Sequence, residues 1–117
     1  MPLYTFDVNT KGIMHLCEIV KTMDPQPIIF HASTSEMFGP NSQNLLNETS
    51  EFNPASPYAV SKVSAYFIAK YYQKVFNLKI CTSIGFNHES PLRHEEFITR
   101  KISKGVARIK HGDNRPI

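Results

Sequence analysis

The fold is decided by residues 28–36, which read Ile-Ile-Phe-His-Ala-Ser-Thr-Ser-Glu. The first five residues form a short, mostly apolar run, which predicts a strand buried on both faces, as in a parallel sheet. The next four residues are polar and follow the carboxyl end of that strand. Open α/β sheets bind ligands at this edge. The stretch therefore predicts both a sheet and the position of a site.

The segments on either side of this strand alternate between helical and extended patterns. Ser56 and Pro57 are typical of a helix N-cap and of the first helical position. Because strands that alternate with helices form parallel sheets, we expect an α/β fold with right-handed crossovers. The predicted elements are a helix over Thr5–Met23, a strand over Ile28–Ala32, a loop over Ser33–Pro57, a helix from Pro57 to Phe76, a strand over Leu78–Phe86 and a helix over Glu95–Lys110.

Two strands are too few to form a stable sheet by themselves, and a parallel pair needs cover on both faces. Residues 1–117 are therefore expected to be a single partial domain, cut from a larger doubly wound domain. A small, self-contained α/β domain is the alternative.

Composition places the chain among globular proteins. It has 117 residues, a net charge of +3, 41% hydrophobic residues, eight Phe and five Tyr, which favours a packed core over disorder. Lys and Arg are dispersed, so no nucleic-acid surface is indicated. No apolar segment approaches the ~20 residues of a membrane span, and no signal peptide is visible. We expect a soluble, cytoplasmic protein without a nucleic-acid or membrane partner.

The cysteines and histidines predict no metal site. Cys17 and Cys81 lie far apart in the sequence and outside any zinc-binding spacing, so buried free thiols are expected rather than a disulfide. The run His94–Glu96 is interpreted as a polar loop rather than a set of metal ligands.

Tyr58 and Lys62 are four residues apart and therefore share one face of the predicted helix. A phenol is a poor base at neutral pH, but a nearby ammonium stabilises the phenolate and so favours proton transfer. Taken alone, the spacing is weak evidence, because most such pairs are solvated helix faces.

Two polar clusters strengthen this interpretation. Ser33–Glu36 follows the first strand, and Asn87–Pro91 follows the second. Hydroxyl groups there can bind a substrate oxygen, and Glu36 can act as a general acid or base. The clusters are predicted to meet at one sheet edge, facing the helix that begins near Tyr58. The alternative for Ser33–Glu36 is an N-cap or turn cluster.

Taken together, these motifs resemble the GDP-mannose 4,6-dehydratases of the extended short-chain dehydrogenase/reductase family. The resemblance covers essentially the whole chain, in order. It is carried by Tyr4-Thr5 and Asp7-Val8, by Ala32–Gly39, by Ser-Pro-Tyr-x-x-x-Lys at Ser56–Lys62, by Phe-Asn-His-Glu-Ser-Pro at Phe86–Pro91 and by Phe97–Ile102.

The resemblance implies a lyase that converts GDP-mannose to GDP-4-dehydro-6-deoxymannose with internally recycled NADP. It implies that Tyr58 takes the proton of the sugar 4-hydroxyl and that Lys62 holds Tyr58 acidic and binds the nicotinamide ribose. Glu36 would remove the C5 proton, and Thr34 would hydrogen-bond the reacting oxygen. The implied cofactor contacts are Tyr4, Lys62, His88 and Arg93, and the implied contacts to the sugar nucleotide are Ser35, Asn87, Phe97 and Lys101.

The resemblance also implies which parts of such a domain these residues represent. The family's Gly-x-x-Gly-x-x-Gly phosphate-binding turn is absent from the sequence. Residues 1–117 would thus be the catalytic half of a doubly wound, Rossmann-like NAD(P)-binding domain, without its N-terminal Gly-rich βαβ unit and its C-terminal substrate domain, from a homo-oligomeric parent. Two alternatives stay open: a related epimerase or dehydratase of another nucleotide sugar, and a non-catalytic remnant that does not bind NADP alone.

Overall fold

The computed structural model describes residues 1–40, 45–113 and 115–116. The chain forms two compact units, Met1–Phe86 and Asn87–Ile117. The first contains helix α1 (Pro2–Phe6), a π-helical segment (Asp7–Lys11), helix α2 (Gly12–Lys21), strand β1 (Ile29–Thr34), a 3₁₀ helix (Ser35–Phe38), helix α3 (Pro57–Phe76) and strand β2 (Ile80–Gly85). The second contains helix α4 (Ile98–Lys110).

The strands β1 and β2 pair in parallel, which confirms the predicted α/β class. Ile29 lies opposite Ile80, and Thr34 lies opposite Gly85. The Ile29 N–H donates to the Lys79 carbonyl at 2.8 Å, which sets where the pairing begins. Both strands therefore deliver their carboxyl ends to the same edge.

The sheet is covered on one face, and the expectation that its first strand is buried on both faces was wrong. Ile29 and His31 are 4% and 8% exposed, whereas Phe30 between them is 68% exposed. The reason is that α2 and α3 both pack on the Ile29 face. Within the described part of Met1–Phe86, the alternation along β1 is that of a strand half-covered by helices.

The core of this unit lies between the helices and the covered face. Ala65 and Ala69 on α3 are fully buried, and their small side chains let the helix approach the sheet closely. The Tyr72 hydroxyl donates to the Glu18 carboxylate, which ties α3 to α2 and raises the pKa of Tyr72 to about 12. The buried cluster comprises Ile13, Cys17, Val20, Ile29, Ala65, Ala69, Tyr72, Leu78 and Ile80.

Helix α3 has the predicted bounds, and its ends show why. The Ser56 Oγ accepts a hydrogen bond from the Ala59 N–H at 3.0 Å, and Pro57 occupies the first turn. Asn77 ends the helix with φ 55°, a left-handed conformation that Asn tolerates better than most residues.

The first predicted helix, Thr5–Met23, is real but not uniform. It begins earlier, at Pro2, ends at Lys21, and changes to π-helical geometry over Asp7–Lys11. Two side chains of the π-helical segment, Asn9 and Thr10, bond to Ser61 of α3.

The second unit, Asn87–Ile117, is built differently. Helix α4 begins three residues later than predicted, after Phe97, whose side chain makes no capping hydrogen bond. Within the described residues of this unit, only Gly105 is buried. The large apolar residues of α4 are exposed; they are Ile98, Ile102, Val106 and Ile109.

The two cysteines differ in their surroundings. Both are free; Cys17 is buried in the core, as expected, but Cys81 is exposed, so the expectation was wrong for Cys81. Cys81 lies opposite Phe30 in the sheet, on the face that α2 and α3 leave uncovered. Within residues 1–40, 45–113 and 115–116, no helix is both long and apolar enough to span a membrane.

Candidate active site

The polar cluster after β1 is held in a tight turn. Thr34 ends the strand, and its Oγ1 accepts a hydrogen bond from the Glu36 N–H at 3.3 Å, so the N-cap alternative is correct for this residue. The Ser33 Oγ donates to the Met37 sulfur at 3.0 Å. The Glu36 carboxylate is left exposed at the strand end, where it can meet a ligand.

A glycine fixes the path of the chain after this turn. Gly39 has φ 80°, and a Cβ at this position would lie 2.3 Å from the Asn53 carbonyl oxygen. The Asn53 N–H donates to the Met37 carbonyl at 2.9 Å. The returning loop therefore packs directly on the turn that carries Glu36, and this close approach requires glycine.

Tyr58 and Lys62 lie on one face of α3, as predicted. The Lys62 Nζ is 5.8 Å from the centroid of the Tyr58 ring. The same Nζ donates to the Ala32 carbonyl at 3.1 Å, across 30 residues of sequence. This bond joins the start of α3 to the end of β1, the strand that ends at Thr34 and leads into the 3₁₀ helix with Glu36.

The electrostatics around Lys62 reflect its partial burial. Desolvation lowers the pKa of Lys62. Burial, and secondly the charge of Lys62, lowers the pKa of His31, which lies on the covered face of β1. Both shifts favour the neutral forms, so this part of the site resists the accumulation of positive charge.

Three residues that the sequence analysis missed brace this part of α3. The Asn9 Nδ2 donates to the Ser61 Oγ at 3.1 Å, and the Thr10 Oγ1 donates to the Ser61 carbonyl at 3.0 Å. The Ser61 Oγ in turn donates to the Tyr58 carbonyl at 2.7 Å. Ser61 is fully buried, and adjoins Lys62. The π-helical segment thus docks on the turn between Tyr58 and Lys62.

The sequence contains a signal for these hydrogen bonds to Ser61. Asn9 and Thr10 are adjacent polar residues in an otherwise amphipathic helix, and Gly12 follows them closely. Asn and Thr side chains readily bond to neighbouring backbone, and π-helical turns are frequent at functional sites. Two predicted site residues of this unit remain. Ser35 begins the 3₁₀ helix, and Tyr4 lies in α1 and is 68% exposed; α1 packs against α3.

A cavity of about 350 Å³ lies beside the carboxyl half of β2. It is within the first unit and has a mixed lining, which suits a ligand with both polar and apolar parts. The 3₁₀ helix, the loop that follows residue 44 and the strand supply its walls, through Phe38, Leu46, Asn47, Glu48, Ser83 and Phe86.

The other predicted site residues belong to the second unit. The Arg93 guanidinium lies 3.6 Å from the centroid of the Phe97 ring, and its Nε is 3.5 Å from the Glu89 carboxylate. The Thr99 hydroxyl donates to Glu89 at 2.8 Å. Asn87, His88 and Lys101 are exposed. That the Asn87–Pro91 cluster meets Ser33–Glu36 stays a prediction.

The described part of the chain holds no group of three His, Cys, Asp or Glu residues arranged to bind a metal ion. The predicted site residues of the first unit supply a phenol, an ammonium, a carboxylate and hydroxyl groups, which can transfer protons next to a hydrogen-bonded oxygen.

A sequence model of the GDP-mannose 4,6 dehydratase family matches residues 1–117. The chain is 42% identical over 113 residues to the GDP-mannose 4,6-dehydratase of Vibrio cholerae, and the match covers 95% of the chain and 30% of that relative. The chain thus spans about a third of the length of the relatives it matches.

Solved structures share the fold. The structure of RMD from Pseudomonas aeruginosa complexed with NADPH matches with a TM-score of 0.89 at 23% identity, over 97% of the chain and 39% of that protein. The dTDP-glucose 4,6-dehydratase of Bacillus anthracis in complex with NAD matches with a TM-score of 0.81 at 28% identity, over 88% of the chain and 33% of that protein. The two strands and their helices are therefore part of a Rossmann-like arrangement.

Proposed function

Because this chain belongs to the GDP-mannose 4,6-dehydratase family, we propose that it supplies the catalytic residues of an enzyme that converts GDP-mannose to GDP-4-dehydro-6-deoxymannose. The observation that carries the proposal is the bond from Lys62 to the Ala32 carbonyl, which fixes the start of α3 to the end of β1, close in sequence to Thr34 and Glu36. The family match and the curated relatives support the same reaction.

The residues around Lys62 fit a nicotinamide cofactor, which we propose to be NADP. An ammonium has three donors, and Lys62 uses one of them on Ala32, which leaves two for the hydroxyls of a ribose. Desolvation makes these remaining donors stronger partners for a ligand than they are in water. The NADPH and NAD complexes of the similar structures support a cofactor of this class. Tyr4, His88 and Arg93 are proposed to make further cofactor contacts.

Tyr58 is proposed to take the proton of the sugar 4-hydroxyl. Its side chain is 38% exposed, so the phenol is accessible to a substrate. The Lys62 ammonium favours the phenolate electrostatically, because an opposite charge stabilises the ionised form. A bound nicotinamide would accept the hydride from C4 and later return it to C6.

Glu36 is proposed to remove the C5 proton, which the new C4 ketone makes acidic. Its carboxylate is exposed at the end of β1, and its backbone N–H is held by Thr34. Thr34 would hydrogen-bond the reacting oxygen while the C6 hydroxyl leaves as water with the proton that Glu36 takes from C5. The proton held by Tyr58 would then be available for C5 when the hydride returns to C6. Ser35, Asn87, Phe97 and Lys101 are proposed to contact the sugar nucleotide.

The proposal is tested with the protein expressed from the complete gene, by following conversion of GDP-mannose to its 4-keto product. Tyr58→Phe removes the hydroxyl and is expected to lower kcat by about 10²–10⁴-fold, the usual contribution of a positioned acid or base. Tyr71→Phe is the matched control, because Tyr71 is an exposed residue further along α3. Wild-type protein without turnover on GDP-mannose, or Tyr58→Phe as active as the control, contradicts the proposal.

A second candidate is a dehydratase of another nucleotide sugar. The 28% identity to the dTDP-glucose 4,6-dehydratase of Bacillus anthracis favours testing it. Comparison of kcat/KM on GDP-mannose and dTDP-glucose separates the two, and preference for dTDP-glucose would favour the second candidate.

A further inference from the structure

His31 occupies an unusual place for an imidazole. It lies on the covered face of β1, is 8% exposed, and alternates with the buried core residue Ile29. Its Nδ1 lies 3.4 Å from the Oγ1 of Thr82, the residue opposite it in the sheet. A single neutral hydroxyl partner offsets little of the desolvation cost of a buried imidazole that becomes charged.

The Lys62 ammonium lies over the same stretch of strand. It reaches from α3 to the carbonyl of Ala32, the residue that follows His31. On this side of β1, β2 presents the neutral Thr82 to His31, and α3 presents Lys62. Among the described residues, Lys62 is the one charged group that shifts the pKa of the His31 imidazole.

We propose that His31 is a positioning residue that makes the attachment of Lys62 to β1 depend on pH. While His31 is neutral, Lys62 stays on the Ala32 carbonyl. When His31 gains a proton, two cations share one poorly solvated region, and the more exposed Lys62 side chain moves away from the strand.

The direction of this dependence follows from the surroundings of His31. Burial first, and the Lys62 charge second, lower its pKa below the ordinary value. The unfolded chain therefore binds this proton more readily than the folded chain. The contribution of neutral His31 to stability is complete above the unfolded pKa, about 6.5, and is lost as pH falls below it.

The first test measures the titration of His31 by NMR of the ring in this chain. Lys62→Met removes the neighbouring charge and is expected to raise the His31 midpoint. Lys70→Met removes the same charge from an exposed position about 12 Å further along α3 and is expected to leave the midpoint unchanged. A shift in Lys62→Met no larger than that in Lys70→Met overturns the proposal.

The second test observes Lys62 itself and does not depend on the folding of the Lys62 variant. The ¹³Cε and ¹⁵Nζ signals of Lys62 are expected to change at the pH where His31 titrates, and this step is expected to disappear in His31→Gln. A Lys62 signal without a step, or with the same step in His31→Gln, overturns the proposal. If wild type unfolds before the step, its unfolding midpoint must fall more steeply with acidification than that of His31→Gln; equal slopes overturn the proposal.

The consequence for ligand binding rests on the proposed function, whereas the coupling does not. If Lys62 binds the cofactor ribose, the affinity of the complete gene product for NADPH is expected to fall below the His31 midpoint in wild type and to stay level in His31→Gln. A Lys62 step in a protein that does not bind NADPH supports the coupling and counts against the proposed function. An equal loss of affinity in both proteins overturns the role of His31 in binding.

Discussion

The two units of this chain carry proposed site residues in two different ways. In Met1–Phe86, long-range bonds hold them: Lys62 bonds to Ala32 across 30 residues, and Asn9 bonds to Ser61 across 52. In Asn87–Ile117, the bond between Thr99 and Glu89 and the ion pair between Lys104 and Glu95 join partners only ten and nine residues apart. The difference teaches that a polar motif becomes a rigid site only where a buried core supports both of its ends.

The largest test of this comparison is a matched pair of truncations. Ile80→Ala removes a core side chain that is 7% exposed and is expected to lower the free energy of unfolding of the first unit by about 2–5 kcal/mol. Ile102→Ala makes the same change on α4, where the side chain is 48% exposed, and is expected to change it by less than about 0.5 kcal/mol.

Urea unfolding followed by far-ultraviolet circular dichroism measures this effect, because helices of both units contribute to the signal. Equal losses of unfolding free energy in the two variants would contradict the comparison, because they would mean that the apolar residues of α4 are as well packed as the core.

A smaller test concerns the Tyr72 bond to Glu18. The hydrogen bond to Glu18 and burial raise the pKa of Tyr72 to about 12, above its ordinary value of 10.0. The folded chain therefore keeps this proton when the unfolded chain has lost it. The stability that this bond contributes is present below pH 10 and is lost as pH rises towards 12.

Tyr72→Phe removes this contribution, so its unfolding midpoint is expected to fall less between pH 10 and 12 than that of wild type. Tyr71→Phe, at the adjacent exposed position, is the control and should stay close to wild type, because Tyr71 makes the smallest contribution to the raised pKa of Tyr72. If both variants lose the same alkaline dependence, the bond between Tyr72 and Glu18 does not have the role assigned to it.

The smallest expected effect is that of the exposed ion pair between Lys104 and Glu95 in the second unit. Lys104→Gln is expected to lower the helical circular-dichroism signal only slightly, and the difference from wild type should shrink as salt is added. Lys110→Gln, at the end of α4, controls for the loss of one positive charge. A large loss of helical signal that does not change with salt would contradict this expectation, because it would identify the pair as essential to α4.

Local signals made some features predictable. The first residue of α3 follows from Ser56 and Pro57, and its last residue follows from the end of the apolar pattern. Each of these two signals acts within one helical turn. The shared face of Tyr58 and Lys62 follows from helix geometry alone.

Other features depend on residues that are distant in sequence. The π-helical segment depends on Asn9 and Thr10 meeting Ser61, more than 50 residues away, and no periodicity reports such a meeting. Whether Phe30 is buried depends on what covers each face of the sheet, whereas its apolar character is the same in either case. The turn at Gly39 likewise requires the approach of Asn53.

Cys17 and Cys81 differ in exposure, so the rates at which they react with a thiol reagent report on the opening of the core. A thiol-reactive probe would modify Cys81 at once, because that side chain is exposed on the uncovered face of the sheet. Cys17 is fully buried, and burial raises the pKa of its thiol, so it would react only when α2 leaves the core. The interval between the first and the second modification would therefore time the opening of the core, without any added reporter group.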